Sequence, residues 1–298
     1  MNTKLLFALI LMVPLMFSCG STKKTSETNT EQAIVTDTII EVEEIAITEN
    51  EIEVDDVVIA DTITEMETVV ELEPVVEGPA TFIDSIITQY GDMLGDCEQL
   101  LVVYNTKASS IVSRLEAYEL TDGRWVAVDS LNMPANVGKR GFASHGKKAE
   151  GDGKSPTGIY SITHFFSKYP KFDAKLQKIK ITKNSIWVDD SKDPLYNSFY
   201  EQNEQNPKKG ENLYRSKDAL YDYVMVINYN TEERKPYKGS AIFLHVWSRP
   251  GGPTAGCVAV EKQNILRLFG WIDEAKHPKI VMGSRENGEI FNIIEAYK

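Results

Sequence analysis

In the stretch 240–260, SAIFLHVWSRPGGPTAGCVAV, one imidazole, His245, and one thiol, Cys257, stand 12 residues apart (257 minus 245). A thiol is mostly protonated at neutral pH, and only its thiolate attacks a carbonyl well. A neighbouring imidazole can take that proton and form a thiolate–imidazolium pair. Gly256, directly before the thiol, lets the backbone approach a substrate carbonyl, so that the N–H groups of Gly256 and Cys257 form an oxyanion hole. By residue type and spacing alone the pair reads equally well in two ways: as base and nucleophile, or as a satisfied polar residue and an inert, buried small hydrophobe.

The elements that must position the pair come next. The apolar run 241–246 predicts a strand that delivers His245. A Pro/Gly-rich loop then folds the chain back, and a second apolar run follows Cys257. Upstream, 99–104, 113–120 and 124–128 read as short strands, the last two joined by the hairpin signal Thr121-Asp122-Gly123. Further strands are expected at 159–165, 223–229, 280–282 and 290–294. Helical spacing of apolar residues predicts an amphipathic lead-in over 81–96 and a second helix over 262–275, ended by Pro278. Short strands with frequent turns point to an all-β domain, large enough to bury one substantial core. Cys97 has no evident disulfide partner and reads as a buried structural thiol.

The motifs SAIFLHVW and PTAGCVAV, with EGDGKSPTG (150–158) upstream and Trp187 to Asp190, Tyr196 and Asn197 between, resemble the L,D-transpeptidase catalytic domain (YkuD, or ErfK/YbiS/YcfS/YnhG) over roughly residues 99–283. The resemblance implies an all-β, L,D-transpeptidase-like β-sandwich with a few short helices. It implies that Cys257 is acylated by a peptidoglycan stem peptide with His245 as its base, that Thr254 and Gly256 complete the motif, and that a backbone carbonyl, that of Val246, orients the imidazole. Ala255 stands where many members have a second His, and Val258 to Val260 where many carry Arg, so the chain resembles the PTAGC branch. Arg249 is one candidate to grip the donor carboxylate in place of the missing Arg, because a guanidinium binds a carboxylate bidentately; a solvated loop cation is the other reading. The segment 168–221 resembles a family insertion capping the active site, with Trp187, Asp189, Asp190, Tyr196 and Asn197 either lining the groove or holding the cap together; for the two Asp residues the favoured role is structural, bonding local backbone N–H groups.

The N-terminal part is of different composition. Residues 1–19 read as a secretion signal: Lys4, then an apolar run too short to span a bilayer, then Ser18 before Cys19. It resembles a bacterial lipoprotein signal, with Cys19 as the lipidated residue, which implies an exported protein of the cell envelope, anchored by lipid and facing the periplasm. Residues 20–80 carry 17 acids between Glu27 and Glu77, leaving 27 of the 44 acids and 29 of the 32 bases to residues 81–298. The net charge of −12 is therefore a property of this segment. Like charges and few aromatics predict a disordered acidic tether, of root-mean-square span roughly 45 Å, despite a strand-like alternation of Thr, Ile and Val with acids.

Residues 81–298 form the expected catalytic domain. Its loop 138–158 is rich in Gly and Lys but lacks the phosphate-loop spacing, and His145, Glu150 and Asp152 lack metal-site spacing, so no cofactor and no metal are expected. The loop is expected beside the catalytic groove, with Lys147 or Lys148 touching acidic stem peptides. The export signal and the lack of strong positive charge on the domain argue against nucleic acid, and a monomer is expected. The expected activity is L,D-transpeptidation of peptidoglycan stem peptides. An L,D-carboxypeptidase or amidase on the same substrate, or a non-catalytic wall-binding lipoprotein, are the alternatives.

Overall fold

A computed structural model of the chain describes residues 81–169, 171 and 174–293. The signal with Cys19, the acidic segment 20–80, Phe172 and Ile294 lie outside the described residues. Helix α1 (Phe82–Leu94) begins where Thr81 caps it: its hydroxyl accepts the Asp84 N–H, and the Asp84 carboxylate accepts the Thr81 N–H at 2.7 Å, a reciprocal capping box. Strands β1 (Gln99–Asn105), β2 (Val112–Thr121) and β3 (Arg124–Ala127) follow. The β2–β3 turn places Asp122 and Gly123 at φ 50° and 75°, the left-handed pair that a two-residue hairpin requires. Next come β4 (Met133–Asn136), β5 (Gly158–Ser167) and β6 (Gln177–Lys180). Then β7 (Ser185–Val188), β8 (Phe199–Glu201) and β9 (Gly210–Asn212) form a small separate sheet in the order β8-β7-β9. The chain closes with β10 (Val224–Ile227), β11 (Phe243–Val246), β12 (Val258–Val260), α2 (Lys262–Trp271) and β13 (Lys279–Ser284).

The expected sandwich is corrected to a barrel. The main sheet runs β1-β13-β5-β10-β11-β12-β4-β2, and β2 pairs back onto β1, so eight strands close a ring with β3 and β6 attached outside it. Closure satisfies both edges of β1, antiparallel with β2 and parallel with β13, and removes the open edges that two stacked sheets would keep. Two further expectations are corrected. Residues 290–293, the described part of the expected strand 290–294, do not form one: Glu286–Phe291 is a pair of tight 3-10 turns, because Asn287 and Gly288 adopt left-handed φ of 51° and 69° and break any extended run. Helix α2 stops at Trp271, Ile272 being extended, and a separate turn at Glu274–Lys276 precedes Pro278.

Strand alternation sorts side chains into three clusters. Leu101, Val103, Leu115, Ile162, Met225, Leu244, Val246, Val258, Val260 and Ile280 point into the barrel, where Ile265, Leu268 and Phe269 of α2 join them. The outward residues Leu100, Val102 and Val281 are covered by α1, and Cys97 is buried there as a free thiol, its pKa pushed up to about 11 chiefly by burial. On another part of the outer surface Phe166, Val224, Val226, Phe243 and Cys257 lie against Ile181, Trp187, Leu213 and Tyr221, so the β7–β9 sheet and its flanks form a cap on the barrel wall. Among the described residues no helix is long and apolar enough to cross a membrane.

Candidate active site

The parallel pairing of β11 with β12 fixes the relation of imidazole to thiol. Leu244 pairs with Val258 and His245 with Ala259, and the ladder extended one step back places Phe243 opposite Cys257. Leu244, Val246, Val258 and Val260 fill the barrel, so Phe243, His245 and Cys257 share its outer face, beneath the cap. Both functional side chains are buried, each 6% exposed. Tyr221 bridges them: its ring meets the His245 ring edge-on at 5.3 Å, and it walls the same cavity as Cys257.

The imidazole has one orientation. His245 Nδ1 lies 2.8 Å from the Val246 carbonyl oxygen. A carbonyl only accepts, so Nδ1 carries the proton and the lone pair is left on Nε2. Burial pushes the His245 pKa down to about 4, against the Val246 carbonyl, which favours the protonated ring. Burial likewise pushes the Cys257 thiol up to about 12. As the site stands it holds a neutral thiol and a neutral imidazole, because desolvation disfavours both ions. The Cys257 S–H donates instead to the Ala241 carbonyl at 3.2 Å.

That carbonyl is held by the cap. Ala241 sits at φ 52°, in the left-handed region, and its N–H donates to Asn197 Oδ1 at 3.0 Å. The same oxygen accepts Trp187 Nε1–H at 2.8 Å, and Asn197 Nδ2 donates to the Tyr229 carbonyl at 2.9 Å. Tyr196 is buried with its hydroxyl on Glu150. Trp187, Tyr196 and Asn197, expected to line the groove or hold the cap together, do the second: none of the three walls the thiol cavity.

The PTAGC segment is tied down in the same manner. The Thr254 hydroxyl donates to the Cys257 carbonyl at 2.7 Å and accepts the Gly256 N–H at 3.2 Å, while Ser155 Oγ donates to that same carbonyl at 3.1 Å. A Cβ at Gly256 would meet the Lys154 carbonyl oxygen at 2.9 Å, a contact only glycine avoids. The Gly256 N–H expected in an oxyanion hole is therefore already engaged by Thr254.

The thiol opens onto a cavity of about 190 Å³ whose walls include Lys148, Glu150, Asp189, Glu211 and Tyr221. Arg249 is not among them; it is exposed in the loop, and its backbone carbonyl accepts from Asn136 Nδ2 at 2.9 Å. The cation at the thiol is Lys148, buried and paired with Asp152 at 2.8 Å. Asp190 takes the local turn role, accepting the Lys192 N–H, while Asp189 is in the cavity wall, the groove-lining role. Glu211 and Tyr221 were given no role by sequence, since a loop acid and one of many aromatics carry no motif. His145, Glu150 and Asp152 each have other partners: His145 Nδ1 meets the Thr157 carbonyl, and Asp152 meets Lys148. Among the described residues no group of three His, Cys, Asp or Glu is placed to hold a metal ion.

No curated protein and no solved structure matches the chain. A family model of the L,D-transpeptidase catalytic domain (YkuD) matches residues 111–282, more than half of the sequence, from the start of β2 into β13, the β11–β12 pair included. The chain therefore belongs to the YkuD family of L,D-transpeptidase catalytic domains, enzymes that act on peptidoglycan.

Proposed function

We propose that this protein is a cysteine acyltransferase that forms a thioester between Cys257 and a peptidoglycan stem peptide and passes the acyl group to an amine. The observation that carries this reading is the shared outer face of His245 and Cys257, with Nδ1–H committed to Val246 so that Nε2 is the base. Offset by one side-chain step on neighbouring parallel strands, the two Cβ atoms are on the order of 8 Å apart, a gap that a ring and a rotating thiol can close.

The thiol leaves the Ala241 carbonyl as the substrate carbonyl arrives. His245 Nε2 takes the proton while Sγ attacks, and the Cys257 N–H receives the developing oxyanion, Gly256 being bonded to Thr254. Collapse breaks the C–N bond after the L-centre, and the departing D-amino acid takes the proton from His245. We further propose that Cys19 carries a lipid and that the acidic segment spans from membrane to wall. Intact-mass measurement of the purified chain with a tetrapeptide stem should show an adduct at Cys257 lacking the terminal residue, absent in Cys257→Ala; stem processing that persists in Cys257→Ala would overturn the assignment.

A further inference from the structure

The three carboxylates around the thiol cavity have unequal partners. Glu150 Oε2 accepts the Tyr196 and Ser240 hydroxyls, the latter at 2.8 Å, and Glu211 pairs with Arg215 Nη1 at 3.1 Å. Among the described residues the exposed Asp189 carboxylate is bonded by its own backbone N–H and by no side chain. The ammonium in the wall does not compensate it, because Lys148 Nζ is bonded to Asp152 and to the Ala149 carbonyl, both at 2.8 Å. The cavity thus presents negative charge to whatever meets the thioester, and the position is fixed by the reacting sulfur, not by the acids alone.

The nucleophile that must enter in the second half of the reaction arrives as an ammonium, and an ammonium cannot attack until it loses a proton. We infer that Asp189, with Glu211 behind it, is the acceptor subsite: it selects an acyl acceptor bearing a cationic primary amine and takes the first proton from that amine. This rests on the acyl-enzyme reading above. Partial burial, then the carboxylates of Glu150 and Glu211, raise the Asp189 pKa, which suits a group that must hold a proton briefly. With one proton on Asp189, the amine nitrogen attacks the thioester carbon. The C–N bond forms and the C–S bond breaks, its electron pair returning to Sγ. The second proton passes through His245 to the thiolate, and Asp189 releases its own to water.

The test compares the fate of a preformed adduct. The full chain is acylated with tetrapeptide stem, adduct formation is confirmed by mass in each variant, and the adduct is divided among water, Nα-acetyl-lysine amide as a cationic amine, and hydroxylamine as a neutral one. Wild type should favour the lysine amide over hydroxylamine at equal concentration of free base. Asp189→Asn should lower that preference about tenfold by raising the KM for the lysine amide, the size expected for one charge-assisted contact, and Asp189→Glu should restore most of it. An Asp189→Asn adduct that reacts with both amines in the wild-type ratio would overturn the subsite while leaving the thioester chemistry standing. Absence of any adduct in wild type would overturn the acyl-enzyme reading, and the subsite with it.

Discussion

Replacing His245 by Asn tests whether the imidazole is held neutral by its burial. Asn keeps a donor near the Nδ1 position, so the bond to the Val246 carbonyl survives, but it does not titrate. In the folded chain the ring sits at about 4, against 6.5 when unperturbed. The folded value is depressed, so the unfolded chain binds the proton more readily between these limits, and the stability conferred by the neutral ring is present above 6.5 and lost as pH falls toward 4. At about 1.36 kcal/mol per tenfold ratio, lowering the pH from about 7.5 to about 4.5 should remove on the order of 2–3 kcal/mol from the wild type through this ring alone. Urea unfolding followed by tryptophan fluorescence, with Trp187 buried near the site, measures it at both pH values. Wild type should lose on the order of 2–3 kcal/mol more than His245→Asn over that range; the packing defect in the variant is common to both pH values and cancels. Equal losses in the two proteins would show that the ring ionises as freely in the folded chain as outside it, and the assignment of a buried neutral base would fall.

Two other outcomes follow from the same geometry. Iodoacetamide should alkylate Cys257 about a thousandfold more slowly at neutral pH than a thiol of pKa 9.0, given its displacement to about 12, with a rate still climbing tenfold per pH unit beyond pH 9; a plateau near pH 9 would contradict a neutral, desolvated thiol. Asn197→Ala should cost about 3 kcal/mol, since it leaves the Trp187 Nε1–H and the Ala241 N–H without an acceptor, and lower the Tm by about 6–12 °C; a Tm within about 2 °C of wild type would mean that the cap does not hold Ala241.

What the sequence made legible was local. The His245 strand, the Thr121-Asp122-Gly123 hairpin and the helix over 81–96 each declare themselves through an apolar run, turn chemistry or helical spacing over a few residues. Barrel closure does not, because the β1–β13 pairing joins residues about 180 positions apart, Leu100 to Lys279, and leaves no mark on either segment. The cap strands are three or four residues long and include polar residues such as Glu201, Glu211 and Asn212, too short for a period to show. Arg249 was singled out because it lies between His245 and Cys257 in the chain, yet the loop turns it outward, while Lys148, about a hundred residues upstream, packs beside the thiol. Asn197 and Ala241 both need left-handed backbone, at φ 57° and 52°, and only the Asn carries even a weak signal for it.

On the mechanism proposed above, the neutral pair also constrains how acylation proceeds. Moving the proton from a thiol at about 12 to an imidazole at about 4 costs on the order of 11 kcal/mol if the two groups do not interact. Attraction between the resulting charges at about 5 Å, in an effective dielectric of about 20, returns only about 3 kcal/mol. A stored ion pair is therefore nearly unpopulated in the empty site, and the negative charge must pass from sulfur to the carbonyl oxygen as the proton leaves. A donor that receives the carbonyl oxygen, the part proposed for the Cys257 N–H, is then of more use than any donor that would stabilise the thiolate itself. It follows that the cap contributes to rate through the water it excludes and through the Ala241 carbonyl that parks the S–H: both keep the thiol unreactive toward solvent until a peptide carbonyl occupies the cavity and supplies the acceptor for that charge.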